Sequence, residues 1–223
     1  MRRDNLLAAG LALALALPGA ARACDVAILF AIDVSGSVNP AEYRLQADGL
    51  AAALRDPIIA DALELHRAAV AVMQWSGVGQ QEMTLLWQRM ETQADIAGFA
   101  EAVAGMRRAY DGSDTAVGEL IRTAVRQFDE RVADCARRVI DISGDGQTNV
   151  GRPSAPERRA AQAAGIEINA IAIEMSGQGL AVTEYFRRHV ITPGGFVMTA
   201  RTHHDYPDTL RAKIFRELVR PMG

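Results

Sequence analysis

Apolar runs too short for helices alternate along the chain with segments of helical period. Val26–Ile32, Ala68–Trp75, Met83–Trp87, Val139–Ile142, Ile166–Ile173 and Phe196–Thr199 read as strands. Several have no polar interruption, the pattern of strands covered by helices on both faces. Helical patterns fall between them at roughly 40–55, 93–107, 115–131, 154–164, 180–189 and 207–219. The first has a defined start, with Asn39 as N-cap, Pro40 at the first helical position and Glu42 three residues after the cap. Alternation at this density predicts an α/β fold, a doubly wound, mostly parallel six-stranded sheet of Rossmann-like type with helices on both faces. The link from Trp75 to Met83 is too short for a helical crossover, so Met83–Trp87 is expected to be an antiparallel edge strand.

The start of the chain follows a different pattern. Arg2 and Arg3 precede an apolar run, Leu6–Leu17, which Pro18 and Gly19 break; Ala21-Arg22-Ala23 then places small residues before Cys24. A charged start, a short apolar middle and a small-residue exit predict a secretory signal peptide over residues 1–23, with one domain over 24–223. The run falls well short of the roughly 20 residues that cross a bilayer as a helix, so no stable membrane span is expected. Cleavage would leave Cys24 as the first residue. That also opens a lipidated form, for which Arg22 is a poor neighbour. The expected location is therefore secreted or periplasmic.

Composition adds two constraints. The 223-residue chain is 49% hydrophobic with a formal net charge of −3, and loss of Arg2, Arg3, Arg22 and Asp4 would make it two units more negative. A mildly acidic chain without a basic cluster is a poor nucleic-acid partner. Of its 24 basic residues only Lys213 is a lysine, which limits catalytic schemes that need one. Cys24 and Cys135 are the only cysteines, each just ahead of a predicted strand. If those strands are parallel neighbours, both sulfurs lie at the same sheet edge, and export predicts a structural disulfide. Closing a loop of that length is worth about 4–5 kcal/mol in the chain-entropy picture.

In open α/β sheets ligands bind beyond the carboxyl ends of the strands. Polar residues collect there. Asp33-Val34-Ser35-Gly36-Ser37 follows the first strand, Ser143-Gly144-Asp145-Gly146 follows the strand ending at Ile142, and Asp111-Gly112-Ser113-Asp114-Thr115 stands at a helix start. Asp33, Ser35 and Ser37 alternate, so one turn can aim three oxygens inward, with Thr115 and Asp145 adding a hydroxyl and a carboxylate. A donor set made only of oxygens suits Mg²⁺, Ca²⁺ or Mn²⁺ rather than zinc or copper.

Asp33-x-Ser35-x-Ser37, with a downstream threonine and a later aspartate after an apolar strand, resembles the metal-ion-dependent adhesion site (MIDAS) of von Willebrand factor A domains. The wording of Val34–Ser37, Gln74-Trp75-Ser76-Gly77, Ile142–Gly146 and Pro193-Gly194-Gly195-Phe196 is closer still to a group of secreted bacterial A-type domains of unknown function. The resemblance implies hydroxyl ligands from Ser35, Ser37 and Thr115, with Asp33 and Asp145 binding directly or through water. Many A domains carry Gly-Gly-Thr-x-Thr at the third loop, where this chain departs. Spacing favours Thr115, with Ser113 as the alternative, and Asp114 either adds charge or caps the helix.

What the resemblance implies is a binding module rather than an enzyme, capturing an unidentified protein through an acidic side chain that completes the cation's shell. The competing expectation is a Mg²⁺-dependent phosphohydrolase, because Gly144–Asn149 resembles the metal loop of haloacid-dehalogenase phosphatases and Asp33 could be the nucleophile. That family expects a second aspartate where Ser35 stands and a lysine ahead of the metal loop, whereas Lys213 follows it. Neither Ser35 nor Ser143 lies in a Gly-x-Ser-x-Gly elbow. Elsewhere Asn149 reads as a turn residue, His203-His204 as a solvated approach to the last helix, and Trp75 and Trp87 as core. Asp141, inside an apolar strand, needs an arginine or backbone donors as partner.

Overall fold

The computed structural model describes residues 24–112, 114–128, 130–175 and 179–219; the expected signal peptide lies outside them. Strands β1 (Cys24–Asp33), β2 (Ala69–Trp75), β3 (Gln81–Arg89), β4 (Cys135–Gly144), β5 (Glu167–Ile173) and β6 (Val197–Ala200) form one sheet in the order β3-β2-β1-β4-β5-β6. β3 is antiparallel to β2 and every other neighbouring pair is parallel, as the short Trp75–Met83 link requires. The helices are α1 (Pro40–Leu54), α2 (Pro57–Leu65), α3 (Gln93–Ala104), α4 (Val117–Val125), α5 (Ser154–Ala163), α6 (Ala181–His189) and α7 (Tyr206–Leu218).

Side-chain alternation along β1 feeds two cores. Ile28, Phe30 and Ile32 pack beneath α1, α2, α3 and α7, while Leu29 and Ala31 join Ile140, Ile142 and Trp75 beneath α4, α5 and α6. Burial on both faces is why these strands read as unbroken apolar runs.

Two helices depart from the sequence pattern. α2 was absent from it, although the signals are present: the Asp56 carboxylate accepts from Ile58 N at 3.0 Å and Ile59 N at 3.3 Å, and Pro57 follows. α4 begins two residues later than expected and ends at Val125, and a separate 3₁₀ turn occupies Glu130–Val132.

β1 and β4 start in register, Cys24 opposite Cys135, and a disulfide joins these residues across a sequence separation of 111, with Cα atoms 4.4 Å apart. The expected staple is therefore present. It fixes the amino edge of the sheet and leaves the carboxyl edge to the loops. Among the described residues no helix is long and apolar enough to cross a membrane.

Candidate metal centre

The loop after β1 is shaped by its own first residue. Asp33 Oδ1 accepts from Ser35 N at 2.7 Å, and Arg108 holds the loop from outside, donating to the carbonyls of Val34 (2.9 Å) and Ser35 (3.0 Å). The turn brings Ser35 Oγ and Ser37 Oγ to 3.2 Å, and Ser37 Oγ donates to Asp145 Oδ1 at 2.6 Å. The loops after β1 and β4 thus meet at one rim. α1 departs from this rim through the expected capping box, in which Asn39 Oδ1 accepts from Ala41 N and Glu42 N while Glu42 Oε2 accepts from Asn39 N.

Thr115 comes to the same place by a longer route. Its N–H donates to Asn149 Oδ1 at 2.9 Å and its carbonyl accepts from Asn149 N at 3.0 Å, so the loop after β4 grips the Thr115 peptide on both sides. A Cβ on Gly146 would lie 3.5 Å from Thr115 Oγ1, which sets this hydroxyl beside the Asp145 turn. Asn149 is therefore more than a turn residue. Asp114 does not cap α4: the N-cap position falls on Ala116, whose methyl cannot accept a hydrogen bond, and Thr148 Oγ1 takes Val117 N at 3.2 Å instead. Ser113 lies outside the described residues. The structure brings Asp33, Ser35, Ser37, Thr115 and Asp145 together.

Electrostatically the arrangement sets two carboxylates near each other, while the Arg108 guanidinium is engaged by the loop's carbonyls. Asp33 and Asp145 are buried, and Oδ2 of each is out of contact with water and without a hydrogen-bond partner. Burial, and then the charge of Asp145, push the Asp33 carboxyl up to about 7; burial raises Asp145 as well. Two buried carboxylates with a bare oxygen each, and hydroxyls between them, are the surroundings a hard cation would relieve. Among the described residues no three of His, Cys, Asp and Glu gather as a metal-holding group, so any ion here depends on the hydroxyls.

His203 corrects the sequence reading. It is 9% exposed rather than solvated, with Nδ1 3.3 Å from Glu42 Oε1 and Nε2 3.8 Å from Asp145 Oδ2, whereas His204 faces water. A cleft of about 450 Å³ adjoins the centre through Glu42 and His203 and is lined also by Asn39, Met175 and His204. Asp141 takes neither an arginine nor backbone donors but the ammonium of Lys213, at 2.6 Å. Trp75 is core, its Nε1 donating to Ala31 O.

A six-stranded sheet in this order, with these loops at its carboxyl rim, is the von Willebrand factor A fold. Proximal thread matrix protein 1 from the mussel byssus shares it at 20% identity over 86% of this chain and 46% of that one, with a TM-score of 0.63. The same mussel protein with a zinc-occupied MIDAS motif gives 18% identity, 86% and 48% coverage and a TM-score of 0.65. BatB from Bacteroides thetaiotaomicron gives 16% identity, 88% and 100% coverage and a TM-score of 0.56. The chain spans about half the length of the mussel protein. It belongs to the family described as protein of unknown function (DUF1194), whose model matches residues 23–222. No curated protein matches the sequence.

Proposed function

We propose that the chain is an exported, divalent-cation-dependent protein-binding module. Asp33, Ser35, Ser37, Thr115 and Asp145 hold the ion, Mg²⁺, Ca²⁺ or Mn²⁺, and an acidic side chain of a partner protein completes its shell. The observation that carries this reading is the pair of buried carboxylates, each with an unpartnered oxygen, facing a cluster of hydroxyls. The zinc-occupied MIDAS of the mussel protein supports a cation at the corresponding rim. Binding is favoured over a phosphohydrolase because Ser35, whose N–H is taken by Asp33 Oδ1, stands where that family carries its second aspartate. Lys213, the lysine a phosphohydrolase would need, is paired inside the core with Asp141 and Glu217. Export is supported by the charged, apolar and small-residue succession before Cys24 and by the disulfide, giving a secreted or periplasmic module over residues 24–223.

Thermal melting with Mg²⁺ and with EDTA tests the reading. At about 100 times the dissociation constant, bound cation should stabilise the fold by about 2.7 kcal/mol, and Asp33→Ala or Asp145→Ala should abolish the shift. A melting temperature indifferent to every divalent ion would overturn it.

A further inference from the structure

His203 stands against the candidate centre with one ring nitrogen uncommitted. Nε2 is buried without a hydrogen-bond partner, and so is Asp145 Oδ2, the atom it faces across 3.8 Å. That gap is too long for a hydrogen bond. It is within the roughly 4.2 Å that two donors can span when each lies about 2.1 Å from one ion. Nδ1, on the far side of the ring, lies 3.3 Å from Glu42 Oε1, and Glu42 is itself fixed because its other oxygen accepts from Asn39 N at 2.8 Å. A carboxylate behind the ring and a free nitrogen in front is how proteins orient a metal-binding histidine. The capping box of α1 thus secures Glu42, Glu42 orients the imidazole, and the imidazole faces Asp145 Oδ2, a buried oxygen without a hydrogen-bond partner.

We propose that His203 Nε2 is a nitrogen donor to the cation of this centre, added to its oxygen donors, and that the chain consequently binds Zn²⁺ by a contact that Mg²⁺ does not use. The proposal rests on the reading that Asp33, Ser35, Ser37, Thr115 and Asp145 hold a cation, with Asp145 and His203 binding it directly and Asp33 through water. Its chemistry follows from the ring: imidazole suits zinc, whereas magnesium keeps to oxygen and water.

Calorimetric titration of the oxidised protein, residues 24–223, with Zn²⁺ and separately with Mg²⁺ tests it. His203→Gln should weaken Zn²⁺ binding by more than about a hundredfold, beyond the effect of losing an outer partner, and leave Mg²⁺ binding unchanged. Glu42→Gln keeps the capping box and should weaken Zn²⁺ by about tenfold. In the Co²⁺-loaded wild type, an exchangeable imidazole N–H proton should appear in the NMR spectrum far outside the ordinary range and vanish in His203→Gln. Equal losses for both ions, an unchanged Zn²⁺ affinity, or no such proton in the wild type would each overturn the proposal while leaving the oxygen site standing. Wild type that binds neither ion would overturn the underlying reading as well. Should His203→Gln fail to fold, the Co²⁺ spectrum of the wild type decides alone.

Discussion

Asp141 and Lys213 show how a residue at odds with its strand is reconciled by one far away in sequence. Lys213 Nζ lies 2.6 Å from Asp141 Oδ1 and 2.7 Å from Glu217 Oε1, with all three side chains buried, and Asn169 Nδ2 also donates to Glu217 Oε1. One ammonium between two carboxylates leaves a negative charge in the core. Burial, and then Asp141, push Glu217 up to about 8 from an ordinary 4.5. Across that window the folded chain binds more protons than the unfolded one, so stability falls as pH rises. Glu217→Gln should flatten the fall, and urea unfolding near pH 5 and pH 8.5 measures it. Lys213→Met leaves two carboxylates without their cation and should cost about 3–5 kcal/mol in the same assay. The strand pattern showed that Asp141 needs a partner but could not identify it, because that depends on which turn of α7 brings its side chain to Asp141. The same limit hid His203. Neighbouring side chains diverge, and only the turn at His203–Asp205, capped by Thr202, decides which histidine goes inward.

At the scale of elements, what is local in origin was legible. The α1 capping box, the strand runs and the Asp-x-Ser-x-Ser turn all lie within a few residues of their causes, and the structure keeps each of them. The start of α4 was misjudged because its cap comes from Thr148, more than thirty residues away. The same long-range packing explains a glycine. A Cβ on Gly118 would lie 2.2 Å from the carbonyl oxygen of Arg152, a backbone atom that cannot swing aside. Gly118→Ala should therefore cost about 1–3 kcal/mol by thermal or urea melting. Because it would push on the segment just after Asn149, which grips Thr115, it should also diminish the cation-dependent shift.

For the molecule as a whole, the adjacency of β1 and β4 and the pairing of the cysteines could be anticipated together. Parallel neighbours with cysteines at their starts leave little choice of bridge. Cys24→Ser with Cys135→Ser should lower stability by about 4–5 kcal/mol. The response to cation should persist, since the bridge lies at the sheet edge opposite the candidate centre; two titratable thiols in the oxidised wild type would contradict the bridge. β1 connects these two edges. It runs ten residues from Cys24 to Asp33, about 33 Å of extended chain, with a parallel neighbour on either side. A load on the Asp33 turn, with the rest of the sheet held, would draw that central strand lengthwise past β2 and β4, so its backbone bonds to them would resist in shear, many at once, instead of peeling one after another. Tension along that strand should therefore meet more resistance than a pull that peels β3 from its flank.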